Sequence, residues 1–126
     1  MKKKAFLREV TTAISLLVIL TVLAILNTLL SARGIERFIS RVYAIDESDS
    51  TESELREIEE SFGRLGFFIS ITVNHDEIDE AEGELSEMTA AIREGDEVAA
   101  RIAKSRLIGA LRRLRRLSGA GINSII

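Results

Sequence analysis

The chain of 126 residues contains no cysteine and no proline, and it has a single histidine. The absence of cysteine excludes disulfides, thiol nucleophiles and cysteine metal clusters, but it does not identify the cellular compartment. The absence of proline removes the strongest helix breaker, and strings of Ala, Leu, Glu and Arg supply good helix formers. The composition therefore predicts an all-α protein with long helices.

An uncharged run follows a basic N-terminus. Residues 10–32 are 23 consecutive positions without a charged side chain, and three lysines precede them. A helix of about 20 apolar residues crosses the ~30 Å hydrocarbon layer of a bilayer, and a cleavable signal peptide has a shorter apolar core. We therefore expect residues 1–32 to be an uncleaved signal anchor that forms a single transmembrane helix.

The charges that flank this run predict its orientation. Four positive charges precede it and three follow it: Lys2, Lys3, Lys4 and Arg8, then Arg33, Arg37 and Arg41. Because positively charged flanks are retained in the cytoplasm, this count favours a cytoplasmic N-terminus. We expect a single-pass protein of the cell membrane with an extracytoplasmic C-terminal domain.

Small and polar residues share one face near the end of the run. Ala24, Thr28 and Ala32 recur at every fourth position, and Asn27 and Ser31 flank them. Small residues let helices approach closely in lipid, and an asparagine can hydrogen-bond to a neighbouring helix. Asn27 is therefore a candidate interaction residue, although it also lies close enough to the end of the run to reach lipid headgroups.

Residues 33–126 have the size of one small helical domain and lack room for a deep catalytic pocket. The helical spacing of apolar residues predicts that the anchor continues as a stalk to Ile45, and the polar segment 46–50 predicts a turn. Thr51 and Glu54 have the spacing of a capping box, which predicts the start of a long second helix.

Two apolar stripes predict the path of this second helix. Their residues recur at helical steps: Leu55, Ile58, Phe62, Leu65 and Ile69, then Ile78, Leu85, Met88 and Ile92. The aromatic and β-branched segment 67–73 between them also fits a short strand. We favour helix, because no second strand candidate exists to pair with this segment.

A third helix should fold back on the second. Gly95 and Asp96 are typical of a helix end followed by a new N-cap. The apolar residues beyond them alternate at steps of three and four: Ala100, Ala103, Leu107, Ala110, Leu114 and Leu117. Gly119 and Gly121 are expected to end this helix, so the sequence predicts an antiparallel helical hairpin.

Opposite charges should select the register of the hairpin. Residues 46–97 contain 18 acidic and three basic side chains, whereas the remainder of the chain contains seven basic and no acidic ones. Equal distances from the turn place acids opposite arginines: His75, Asp76, Glu77, Asp79 and Glu80 against Arg112, Arg113, Arg115 and Arg116. We take Glu77, Asp79, Arg112 and Arg116 as interaction residues. A free arginine-rich face would suit anionic lipid or nucleic acid, but the acidic helix is a closer partner, so no nucleic acid is expected.

A straight second helix would be longer than the stalk beside it. Residues 33–45 rise only ~20 Å, whereas residues 51–74 would descend ~36 Å, which drives the acidic residues 75–79 toward hydrocarbon. We therefore expect a bend near Gly63 and Gly66, or a splay between stalk and second helix. Four apolar residues should then lie at the outer membrane surface or under a partner protein: Phe67, Phe68, Ile71 and Val73.

His75 is the one position that suggests chemistry. His75 and Asp79 are four residues apart on one helical face that Glu82 nearly continues, so the three could hold a divalent metal. A single histidine among carboxylates on a helix surface more often forms ion pairs or meets solvent. No serine is marked out as a nucleophile, so the sequence indicates no catalytic residue, no cofactor and no small-molecule substrate.

Several short motifs resemble a known family. They are residues 68–75, the triplet Glu77-Ile78-Asp79, the turn at 95–96, and Asn123 followed by terminal aliphatic residues. The chain resembles an uncharacterised family of small single-span bacterial membrane proteins, domain-of-unknown-function family 4363. It departs from the family in its short stalk and in the serine after Asn123. The resemblance covers nearly the whole chain and implies an anchored helical domain, but it brings no activity, cofactor or site.

Two functions remain from the sequence. We favour a non-catalytic, membrane-anchored helical module that binds another protein, either a larger membrane protein or a second copy of itself. The alternative is an extracytoplasmic domain that senses a ligand or metal through the region of His75. Neither function makes the protein an enzyme.

Overall fold

The chain forms four α-helices in a computed structural model that describes residues 2–71 and 73–125, with side chains as far as residue 119. The helices are α1 (Lys2–Ala44), α2 (Glu52–Ile69), α3 (His75–Glu94) and α4 (Glu97–Ile125). The described residues contain no β-strand, and the prediction of an all-α fold with a long apolar N-terminal helix is confirmed.

Helix α1 has two parts that differ in their surroundings. Its 43 residues extend for about 64 Å, and the large apolar side chains of the first part are exposed. Burial begins at Thr28 and continues through Ile35, Phe38 and Val42. Within the described residues, α1 is the one helix long and apolar enough to cross a membrane. Its last 17 residues form one wall of a four-helix bundle.

Helix α2 runs antiparallel to the bundle part of α1. Arg41 donates from Nη1 to Ser61 Oγ at 2.7 Å and from Nη2 to Glu57 Oε1 at 3.1 Å. Further along, Gly34 faces Leu65 so closely that a Cβ at Gly34 would lie 3.0 Å from Leu65 Cδ1. These contacts fix the heights of the two helices, with residue 65 beside residue 34.

Helices α3 and α4 complete an up-down-up-down bundle. The most extensive helix contact is between α3 and α4, and α4 also packs along α1. Arg113 Nη1 lies 2.8 Å from Glu80 Oε2 of α3, and Arg115 Nη2 lies 2.5 Å from Glu36 Oε1 of α1. Helix α4 therefore lies between α1 and α3 and runs antiparallel to both.

One apolar core joins all four helices. The rings of Phe38 and Phe62 pack at a tilt with centroids 5.4 Å apart. The core contains the predicted stripes of the second helix and most of the predicted α4 seam: Leu55, Ile58, Phe62, Ile69, Ile78, Leu85, Met88, Ile92, Ala100, Ala103, Leu107, Ala110 and Leu114. Leu117 was wrongly placed in that seam, since it is 42% exposed and Ser118 is buried instead. A straight helix of 3.6 residues per turn drifts away from a 3.5-residue repeat, and after two heptads the buried position has moved by one residue.

Local capping confirms two predicted helix boundaries. The hydroxyl of Thr51 accepts from the backbone N–H of Glu54 at 3.2 Å at the start of α2. Gly95 adopts φ 76°, a left-handed conformation that favours glycine, and Asp96 Oδ1 accepts from the N–H of Ala99 at 3.1 Å. The tight turn of the predicted hairpin is therefore formed by the residues that the sequence indicated.

The interruption of the second helix lies later than expected. Helix α2 continues unbroken through Gly63 and Gly66 and ends at Ile69, and α3 begins at His75. The reason is a new N-cap, because the Asn74 side chain accepts from the N–H of Asp76 at 3.3 Å. The acidic residues of α3 therefore run back beside α2, which removes the conflict between the lengths of stalk and second helix.

Helix α4 passes the glycines that were expected to end it. Gly119 and Gly121 lie inside the helix, which reaches Ile125. Beyond the pair formed by Arg115 and Glu36, its antiparallel course brings the last turns beside Thr28 and the neighbouring part of α1. Packing against α1 outweighs the low helix propensity of glycine, which amounts to about 1 kcal/mol for each residue.

A lysine of α4 binds the C-terminal end of α1. Lys104 Nζ donates to the carbonyl oxygens of Tyr43 at 3.1 Å and Ile45 at 2.8 Å, and it pairs with Glu47 Oε1 at 3.2 Å. These carbonyls have no partner within α1, so the lysine satisfies groups that helix ends leave unpaired. Beside it, hydrogen bonds from Ser48 lower the pKa of the Asp46 carboxyl. The first turn is thus tied to α4.

The core predicts a sharp effect of one substitution. Leu107 is fully buried, so Leu107→Asp places an unpaired carboxylate in the core at a cost of several kcal/mol. A small domain is stable by only about 5–15 kcal/mol, so we expect a large loss of helical signal and of Tm in circular dichroism of the full chain in detergent. Ile102→Asp, at a site 51% exposed on the same helix, is the control and should change Tm little. Equal melting curves for Leu107→Asp and the parent would contradict this packing.

Candidate interaction surface

A groove of about 550 Å³ lies between α2 and α3. The two helices have the least extensive contact of the neighbouring pairs in the bundle. They are joined at one end by Arg93, which pairs with Glu52 and Glu59 at 2.9 Å each, and near the other end Gly66 packs against Ile78. Between these contacts the groove stays open to solvent.

The two walls of the groove differ in chemistry. Helix α2 contributes mostly small residues: Gly63, Gly66 and Ser70. Helix α3 contributes mostly polar residues: His75, Asp79, Glu82, Ser86 and Thr89. The floor is formed by buried apolar side chains that belong to the core: Phe62, Ile78 and Leu85. The groove is therefore an acidic, shallow channel with an apolar floor.

Charge is balanced at only one end of this groove. Hydrogen bonding to Arg93 lowers the pKa of the Glu52 carboxyl, and the bonds to Glu52 and Glu59 raise the pKa of the Arg93 guanidinium. At the other end, neither Asp79 nor Glu82 forms an ion pair or a hydrogen bond with any residue that the structure describes. Net negative charge therefore remains at the end near His75.

The groove does not assemble the metal site considered from the sequence. His75, Asp79 and Glu82 all line it, but the described part of the chain holds no group of three such side chains close enough to share a metal ion. The three lie along a single helix, and the facing wall of α2 supplies glycine and serine rather than ligands. Glu59, the nearest acid of α2 in the groove, is held by Arg93.

The arginines of α4 divide between two neighbouring helices. Arg113 is raised in pKa by its hydrogen bond to Glu80 and lies 3.7 Å from Glu77 Oε2, so these pairs form across the hairpin as expected. Arg112 instead donates to the hydroxyl of Tyr43 in α1 at 2.8 Å. Asp79 and Arg116 form no pair among the described residues. The expectation that all four arginines face α3 was wrong, because successive residues of a helix point 100° apart and α4 has α1 on its other side.

Three apolar side chains form an exposed tip at the end of α2, which we define as Phe67, Phe68 and Ile71. Their exposed fractions are 82%, 36% and 72%. Val73 was grouped with them from the sequence, but it is buried in the core and does not belong to the tip. Since residue 65 lies beside residue 34, the four residues to Ile69 carry α2 about 6 Å further along α1. The tip therefore lies level with residues near 30, inside the uncharged run.

The small-residue face of α1 is covered within the chain. Ser31 is fully buried, Thr28 is nearly so, and the Thr28 hydroxyl donates to the carbonyl of Ala24 at 2.9 Å. Asn27 is half-buried, and within the described part of the structure neither its Oδ1 nor Ser31 Oγ has a hydrogen-bond partner. The final turns of α4 lie beside this face, so part of the predicted contact surface serves the fold itself.

One surface was missed from the sequence. Val98 and Ile102 are 68% and 51% exposed on the outer face of α4. Their signal is present in the sequence, because both are apolar yet lie outside the seam that begins at Ala100. Their exposure marks that face as a second candidate for contact.

Comparison with known proteins identifies no relative. No protein-family model, no curated protein and no solved structure matches the chain. The resemblance to a family of single-span membrane proteins therefore stays a prediction, and function has to be argued from the geometry alone.

Proposed function

We propose that this protein is a membrane-anchored helical module that acts by binding another protein and does not catalyse a reaction. The observation that carries this proposal is the continuity of α1, whose apolar, exposed first part runs without a break into a packed bundle with an open groove. An anchored bundle holds the groove at a fixed height and orientation above the bilayer. Such an arrangement suits the capture of a partner that lies in the same membrane.

The proposed membrane surface passes close to Arg33. The uncharged run ends at Ala32, and the tip reaches the same height on the neighbouring helix. Aromatic and aliphatic side chains are stable at the boundary between headgroups and acyl chains, whereas the acids of α3 turn away from it. Arg33, Arg37 and Arg116 lie near this height and suit contact with phosphate groups.

Orientation follows from the positive charges that flank α1. Four precede the uncharged run and three follow it, so the N-terminus lies in the cytoplasm and the bundle outside it. The partner in this proposal is then either the extracytoplasmic part of a membrane protein or a second copy of the chain. We assign no catalytic residue, cofactor or nucleic-acid ligand.

The position of the tip can be measured with a single tryptophan, because the chain has none of its own. Phe67→Trp in the full chain, reconstituted at low density in vesicles, should be quenched by lipids brominated on their acyl chains and protected from acrylamide. Val98→Trp is the matched control, since it is also exposed but lies at the opposite end of the bundle. It should show the reverse pattern. Equal acrylamide quenching at both sites would contradict the membrane contact.

The orientation can be measured with single cysteines, again because the chain has none. Val98→Cys should react with a membrane-impermeant maleimide on intact cells, since this exposed residue belongs to the bundle. Lys3→Cys should react only after the membrane is opened. The opposite pattern would show that the bundle lies in the cytoplasm.

The interaction itself can be tested by photo-cross-linking in cells. A benzoylphenylalanine at Glu82, which lines the groove, should form an adduct with a protein, because a bound partner covers this position. The control carries the same group at Ser40, an exposed residue of α1 outside the groove, and should give little adduct. The absence of any protein adduct at Glu82 in the membrane fraction would refute the proposed function.

A further inference from the structure

We propose that the partner of the groove is a second copy of this chain, and that the outer face of α4 of one copy lies in the α2–α3 groove of its neighbour. This inference rests on the proposed function, because it needs every copy to be anchored in the same membrane. Three properties of the two surfaces carry it: their shape, their heights and their charges.

The outer face of α4 forms a ridge of helical width. Six residues at alternating steps of four and three define this ridge: Val98, Ile102, Ser105, Gly109, Arg112 and Arg116. All six are exposed, and the core lies on the opposite side of the helix. Within the described chain the ridge makes one side-chain contact to another helix, the bond from Arg112 to Tyr43, which leaves other guanidinium N–H groups of Arg112 free.

The ridge and the polar wall of the groove lie at equal heights. Both belong to the hairpin that turns at Gly95, and the pair of Arg113 with Glu80 shows that residues equally far from the turn lie side by side. The same count places four ridge positions level with four groove positions: Arg116 with His75, Arg112 with Asp79, Ser105 with Ser86, and Ile102 with Thr89. The match extends along nearly the whole groove.

Anchoring in one bilayer transfers this match from one chain to its neighbour. Copies with the same orientation in a membrane are related by rotation about the membrane normal and by movement in its plane, and neither changes the height of a residue. The positions that are level within one hairpin are therefore level between copies. A sideways approach of a neighbouring copy brings Arg112 to the height of Asp79 without any shift along the helix axes.

The charges favour this arrangement over a symmetric one. Arg112 and Arg116 of the ridge meet the end of the groove where Asp79 and Glu82 have no partner. Contact of groove with groove would bring these acids together, and contact of ridge with ridge would bring the arginines together, and both are repulsive. A contact between two different surfaces joins copies into a ring or a row rather than a closed two-fold dimer.

Disulfide cross-linking of the full chain in membranes tests this geometry. Two tagged copies are co-expressed, one with Ser86→Cys in the groove and one with Ser105→Cys on the ridge. We expect a disulfide between the two different copies under mild oxidation, and little between identical ones. The control replaces Ser105→Cys by Ser40→Cys, which lies at another height on the exposed side of α1, and it should give little product.

Charge exchange tests the pairing independently of the cysteines. Asp79→Arg in the groove copy or Arg112→Asp in the ridge copy should each reduce the cross-linked fraction about fivefold, the upper range for an exposed ion pair. Combining the two exchanges on opposite copies should restore it. Recovery in the combination also shows that neither variant fails to fold.

Two results would overturn the inference. One is the absence of the disulfide between position 86 and position 105 in a membrane where the control pair behaves the same way, and the other is a product formed mainly between identical copies. A groove adduct with a different protein, obtained from the photo-cross-linker at Glu82, would leave the proposed function intact while removing self-association. The failures of the two proposals are therefore distinguishable.

Discussion

The packing of the last 17 residues of α1 sets the positions of the other helices. This segment presents Ile35, Phe38 and Val42 to the core, with α2 along one side and α4 along the other. Because the same helix continues into the apolar N-terminal part, every height in the bundle is measured from it. The close approach of Leu65 to Gly34 and the pair of Arg115 with Glu36 transmit that reference to the other helices. A small domain with little core of its own gains definition from being built on a helix that extends beyond it.

The path of the chain reflects a conflict between helix length and charge. Helix α2 descends beside α1 until it reaches the uncharged run, and there its side chains are apolar, as the exposure of Phe67 and Ile71 shows. Acidic residues begin immediately after Asn74, whose cap starts a helix that ascends again. A continuous helix would carry these acids toward hydrocarbon, where an unpaired carboxylate is costly. Apolar residues thus occupy the lowest point of the turn, and the polar residues that follow start the return.

Features that depend on neighbouring residues were predictable from the sequence. The cap at Thr51, the left-handed Gly95 and the seam through Leu107 follow from local rules, and the structure contains all three. Features that depend on which helices are neighbours were not predictable. The sequence treats α4 as the partner of α3 alone, so it could not show that Arg112 binds Tyr43 or that α4 extends past its glycines. The arginine pattern has one periodicity, and only the three-dimensional packing divides it between two partners.

Glycine positions on the helix surfaces carry a further argument about contact between chains. Gly63 and Gly109 lie inside helices, and a Cβ at either position would meet no atom within 4 Å. Alanine there would strengthen each helix by about 1 kcal/mol, so neither glycine is required by the packing of one chain. Gly63 lies in the wall of the groove, and Gly109 lies at the middle of the ridge. Helices that lack side chains at such points can approach with their backbones closer together, and this gain exists only when a second helix is present. The stability that the isolated chain forgoes at these two positions is thus recovered when the ridge of one copy enters the groove of another.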